Sequence, residues 1–172
     1  MKSLSQILAF GLLMIASLQS SANDEVPAGK DTIEIKSFIE QAFILGVAEI
    51  ESGKWALQKS HSDDVKKYAQ KIIDEHGNSN SNLADIARQK NLALPTQTAA
   101  TDQAKKFSFN QASSKDFDKA YARHEERNLT DTLALFNKAA LSKDIDIAGF
   151  ATAAIPKLKH QLQFAEQLSK TP

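Results

Sequence analysis

Glu49, His76 and His124 are the side chains of this 172-residue chain whose types could do chemistry together. One carboxylate and two imidazoles presented from facing helices would suit one transition-metal ion such as zinc, copper or iron. A dinuclear carboxylate centre asks for more, a Glu-x-x-His pair on each of two helices. Three residues before His61, His76, His124 and His160 stand Gln58, Ile73, Tyr121 and Lys157, so no such pair exists and a di-iron oxidoreductase is disfavoured. No local signature orders a nucleophile, a base and an orienting acid, which speaks against a hydrolase. The chain has no cysteine, which excludes thiolate zinc sites, disulfides and lipid attachment through a thiol.

Four segments with helical periodicity must position these residues, roughly 32 to 60, 63 to 90, 114 to 142 and 146 to 169. Start signals agree with them: Thr32 before Glu34, Ser62 before Asp63 and Asp64, Ser113 before Asp116, and Asp144 or Asp146 before the last segment. Only 6 glycines and 4 prolines interrupt the chain, and the β-branched residues do not alternate as strands would. The expected fold is all-α, a four-helix bundle with short turns after the first and third helices and a long link between the second and third. That link contains Pro95 and one short helix expected around Ala104 to Phe109; it can cross the length of the bundle or fold up at one end.

Placing each segment at 100° per residue assigns its polar residues to a side. The first helix puts Ile35, Ile39, Ala42, Gly46, Ile50, Gly53 and Leu57 on its apolar stripe, with Glu49 inside it and Glu51 on the wet side. The second buries Val65, Ala69, Ile72, Leu83 and Ala87, with His76 at the centre, Ser79 and Asn80 beside it, and Asp74, Asn78 and Asn82 facing solvent. On the third, Phe117, Tyr121, Leu135 and Ala139 define a stripe that also carries His124, Asn128 and Asp131. The rest of "ARHEER" at 122 to 127 reads as a solvated charged face. The fourth aligns Ile147, Ala151, Ala154, Leu158, Leu162 and Ala165, with Gln161 near the edge and His160 pointing away. His61 reads as a solvated turn residue, and Trp55 as an aromatic at the edge of its helix or a contact for a partner.

Counted from the turn near residue 61, Glu49 and His76 are expected at one height, near mid-helix, with Asn128. Ser79, Asn80, Asn128 and Asp131 complete an expected polar layer in the core. Buried polar groups need partners. Three readings follow: a network in which His76 donates to Glu49 and Asn80, Asn128 and water complete it; a metal site of Glu49, His76 and His124; or a wet pocket for a small ligand.

The first 22 residues differ from the rest, with Lys2, then "ILAFGLLMIASL", then "QSSA". A basic start, an apolar run too short to span a membrane and small residues ending at Ala22 mark a cleavable secretory signal. The expected organisation is therefore a signal peptide at 1 to 22, a flexible leader at 23 to 31 and a bundle domain at 32 to 170, secreted and periplasmic in a Gram-negative source. No other stretch is long enough to cross a membrane. Basic and acidic residues balance at 21 each, which gives no electrostatic reason to expect nucleic acid.

The ordered set Ala48-Glu49-Ile50-Glu51-Ser52-Gly53, Val65-Lys66-Lys67-Tyr68-Ala69, Glu75-His76 with Asn80 and Leu83, Phe117-Asp118-Lys119-Ala120-Tyr121 and Pro156-Lys157-Leu158-Lys159-His160 resembles the bacterial envelope family called domain of unknown function 4142. The resemblance covers nearly all of the chain after its first segment and implies a ferritin-like four-helix fold. It departs at one place: where the family has a histidine eight residues after the third-helix tyrosine, with an aspartate before it, this chain has Leu129 and Asn128. If the family binds metal through that histidine, this member has lost or moved a ligand. Members are often labelled outer-membrane proteins, yet no set of alternating strands suggests a barrel. The resemblance does not settle a role. The leading expectation is a non-enzymatic envelope protein that binds an envelope partner or supports stress tolerance, and the alternative is a metal-binding or metal-storing protein.

Overall fold

The computed structural model describes residues 30–106, 109 and 117–170, with side chains from residue 35 onward. The expected signal segment and all but the end of the leader lie outside the described residues. Five helices make up the fold: α1 (Lys30–Lys59), α2 (Asp63–Gln89), α3 (Gln97–Ala104), α4 (Phe117–Ala139) and α5 (Ile145–Lys170). Among the described residues there is no strand.

Helix ends follow their local chemistry. The Ser62 hydroxyl accepts from Val65 N at 3.4 Å, and Asp63 and Asp64 sit in the first turn of α2, where free N–H groups favour negative charge. α2 ends as Asn91 turns to a left-handed φ of 54° and Leu92 N reaches back to Ala87 O at 2.8 Å. Thr96 caps α3 through Ala99 N, and Asp144 caps α5 through Asp146 N and Ile147 N, both at 3.1 Å.

The long helices form two antiparallel pairs, α1 with α2 and α4 with α5, each joined by a short turn. α1 lies against α4 and α2 against α5. Phe38 near the start of α1 meets Phe136 near the end of α4 at 5.3 Å between ring centroids. Lys90, just after α2, pairs with Asp144 and Asp146 at the start of α5, while Tyr68 near the start of α2 stacks on Phe164 at 5.4 Å. The end of α2 and the start of α4 are therefore at opposite ends of the molecule. The link runs the length between them: α3 packs on α1, and Phe109 N donates to Ser52 Oγ at 2.7 Å. The short helix comes earlier than the expected 104 to 109, because Pro95 and Thr96 start it.

This crossing explains why α1 is buried more widely than one stripe. Val47 and Ala48 form a second small cluster with Ala100 and Ala104 of α3. On the opposite face two glycines let α2 come close. A Cβ at Gly46 would lie 2.2 Å from Asn80 Oδ1, and one at Gly53 would lie 2.9 Å from Ile73 Cγ1. Asn80 uses that closeness, donating through Nδ2 to Phe43 O at 3.2 Å.

Candidate functional site in the helical core

The face that α4 turns inward is Tyr121, Ala122, Glu125, Leu129, Thr132, Leu133, Phe136 and Ala139. It is shifted by one residue, or about 100°, from the stripe expected at 124, 128, 131 and 135. Asp131 is consequently exposed rather than part of a core layer, and His124 and Asn128 are half-buried. The shift has a physical cause. Leu129, Leu133 and Phe136 supply a fuller apolar surface than Phe117 and Leu135, and the helix accepts Glu125 in the core to bury it.

Glu125 is the functional candidate that the sequence reading missed, having been placed in a solvated charged run. It is 0% exposed and faces Glu49 of α1, which is 1% exposed. Burial first, then the charge of Glu49 and a hydrogen bond to it, push the Glu125 carboxyl well above its usual range. None of the four carboxylate oxygens finds a donor elsewhere among the described residues. Two carboxylates carry no proton to share, so the bond between them requires that one be protonated. A Glu125 carboxyl that keeps its proton is the donor such a bond needs.

Tyr68 and Tyr121 stand beside this pair, their ring centroids 6.2 Å apart. Both hydroxyls are buried without a hydrogen-bond partner among the described residues, and both phenols are pushed up by burial first and then by Glu125. Tyr68 also feels Glu49 and Glu75. The phenols therefore stay neutral and are donors available to the carboxyl pair.

His76 does not meet Glu49. Neither Glu49 oxygen meets a donor on His76, and His76 Nε2 lacks a partner among the described residues, which overturns the expected bond between them. His76 instead lines a cavity of about 40 Å³ with Gly46, Ser79, Thr132, Leu158 and Gln161, toward the Asn80 end of α2. The expected equality of height agrees with the packing of α1 on α2, where Gly46 against Asn80 and Gly53 against Ile73 bracket Glu49 and His76, but the expected bond does not form. Thr132 Oγ1 and Gln161 Oε1 are also buried there without partners among the described residues, while Gln161 Nε2 donates to Glu75 Oε2 at 2.6 Å. Ser79 is half-buried at the cavity's edge, and Asn80 is buried against Gly46.

His124 lies on another side of α4, its ring 5.4 Å from Phe109 and its Nε2 at 3.0 Å from Asn128 Nδ2. The structure thus does not gather Glu49, His76 and His124. Among the described residues no three His, Asp or Glu side chains form a group that could hold a metal ion. His160 is exposed, as its position on the wheel implied, and Trp55 is half-buried with Lys59 Nζ 5.1 Å above its ring.

No helix among the described residues is long and apolar enough to cross a membrane. Neither a curated protein nor a solved structure matches the chain. The family model described as "Domain of unknown function (DUF4142)" matches residues 18–168, a span that takes in all the helices just described except their last two residues, and the chain belongs to that family.

Proposed function

We propose that this chain is a non-enzymatic, ferritin-like four-helix protein that is exported to the periplasm and acts by binding, as the partner of an envelope protein or as support for the envelope under stress. The observation that supports this reading is the make-up of the polar core. A di-iron bundle draws one glutamate from each of two helices and a Glu-x-x-His pair from each of the other two. Here α1 and α4 bring Glu49 and Glu125, but the residues that α2 and α5 bury, Tyr68, Ile72, His76, Leu158 and Gln161 among them, include no carboxylate. The two remaining carboxyl groups are buried and closed to any substrate. Fractionation of the native host, with mass analysis of the amino terminus, tests the address: protein in the periplasmic extract beginning at Asn23 is expected, and uncut cytoplasmic protein contradicts it. Ferrous-iron oxidation by the purified protein at the buffer rate is expected, and saturable turnover contradicts a non-enzymatic role.

One observation favours a second reading, in which a single cation takes the place of the Glu125 proton. Four buried carboxylate oxygens with no donor from any other described residue, and two buried phenol oxygens that also lack partners among those residues, are hard ligands of the kind that manganese or magnesium accepts. This set replaces the imidazole-rich one of Glu49, His76 and His124. Elemental analysis of protein purified without chelator decides it: about one equivalent of a divalent metal, lost in Glu125→Gln, supports the reading, and less than about a tenth removes it.

A further inference from the structure

α2 and α5 touch sparingly, and between their Tyr68 and Phe164 levels they leave a pocket of about 250 Å³ lined by Lys67, Tyr68, Lys71, His160, Gln161 and Phe164. Its chemistry divides into an aromatic wall and a basic rim. Tyr68 and Phe164 stack almost parallel, 5° apart, and Phe164 is only half-buried. Lys67 and Lys71 lie one turn apart on α2 and are both exposed. Lys71 Nζ is 3.3 Å from His160 Nδ1; an ammonium can only donate, so Nδ1 accepts and the ring's N–H sits on Nε2. Glu75 lies near this rim, 3.9 Å from Lys71, but it is also bound by Gln161 Nε2 at 2.6 Å. Lys67 has no ion-pair partner among the described residues.

Glu75 offsets part of the Lys71 charge, and Lys67 adds a second ammonium, so the mouth keeps a net positive charge that one anion complements. An aromatic wall behind them favours a ligand with a ring of its own. The volume falls just short of the about 300 Å³ at which pockets for drug-sized ligands begin, which suits a single ring and excludes a long acyl chain. We propose that this pocket binds a small aromatic monocarboxylate, its carboxylate on Lys67, Lys71 and His160 and its ring against Phe164. The assignment is independent of the role of the Glu49 and Glu125 pair.

A titration of the full chain with phenylacetate, followed by amide and side-chain NMR shifts, tests it. The expected result is saturable shifts at Lys71, His160 and Phe164 with Kd below about 5 mM. 2-Phenylethanol, which lacks the charge, and inorganic phosphate, which lacks the ring, are each expected to bind at least tenfold more weakly. Lys67→Met with Lys71→Met is expected to weaken phenylacetate at least tenfold with an unchanged thermal midpoint, and Phe164→Leu, which also gives up the stack on Tyr68 and some stability, supplies a second variant on the aromatic side expected to weaken binding as much. No saturation by about 20 mM, equal binding of the alcohol or of phosphate, or indifference to both variants overturns the proposal.

Discussion

Glu49 on α1 and Glu125 on α4 face each other across the core, close enough for their carboxyl groups to hydrogen bond, and both are shut off from solvent. An ionised carboxylate without a donor is costly to bury, and two at hydrogen-bond distance cost more. One retained proton removes a charge and makes the bond between them, so protonation and the packing of α1 on α4 depend on each other.

The first consequence concerns pH. Glu125 binds its proton more tightly in the folded chain than in the unfolded one, where the ordinary value is 4.5. Its contribution to stability is therefore complete below that value and is lost as pH rises toward the folded-state value. Glu125→Gln keeps a donor for Glu49 and removes the titration. Urea unfolding at pH 5 and pH 8 should show wild type losing about 1 to 3 kcal/mol more than the variant over that interval. Parallel losses would show that the pair does not hold its proton.

The closeness of α1 and α2 gives the second. Gly→Ala in a helix interior ordinarily gains up to about 1 kcal/mol, but at Gly46 the new Cβ would meet Asn80 Oδ1 at 2.2 Å. Gly46→Ala should lose about 1 to 3 kcal/mol by denaturant unfolding. In an Asn80→Ala background the same change should become neutral or favourable, because the obstructing side chain is gone. Additive effects of the two substitutions would count against the close approach.

The polar cavity around His76 gives the third. His76 Nε2, Thr132 Oγ1 and Gln161 Oε1 are buried there without partners among the described residues. Replacing one such group by an apolar side chain of similar size removes a desolvation cost without breaking a bond. His76→Leu should therefore keep or raise the thermal midpoint. A fall of more than about 5 °C, which corresponds to roughly 1 to 2 kcal/mol, would show that His76 is tied into a coupled network.

At the opposite end of the molecule Lys90 joins α2 to the start of α5. It donates to Asp144 and, at 2.9 Å, to Asp146. For Asp144 partial burial raises the carboxyl, but the Lys90 hydrogen bond, the backbone bonds from Ile147 and Asp146 and the Lys90 charge together outweigh it and hold the carboxyl below its ordinary 3.8. A depressed value makes this contribution full above 3.8 and lost as pH falls through the folded-state value. Lys90→Met should cost about 1 kcal/mol or less at pH 7, since the groups are partly exposed. The cost should disappear near pH 2, and a cost that persists there would assign it to packing.

Much of the architecture was legible because single stripes dominate. α2 repeats small and branched apolar residues from Val65 to Ala87 against a strongly polar face, so His76 and Asn80 could be placed inward and Asp74, Asn78 and Asn82 outward. α4 was misread because two stripes one residue apart compete along it. The one containing Glu125 looks charged until Leu129, Leu133 and Phe136 are counted with it. Ser52 and the Val47–Ala48 face on α1 were hidden for a different reason. They are buried by the crossing link, and no periodicity within α1 announces a neighbour that arrives fifty residues later. The carboxyl pair itself combines a residue read correctly as inward with one read as outward, so it could emerge only when α1 and α4 were set side by side.

The most direct measurement of the central claim is the carboxyl ¹³C titration of Glu49 and Glu125, assigned through Glu49→Gln and Glu125→Gln. The account expects Glu125 to keep its proton as pH rises well past the ordinary carboxyl value of 4.5. Two carboxyl resonances both fully ionised at pH 6 in metal-free protein would contradict it.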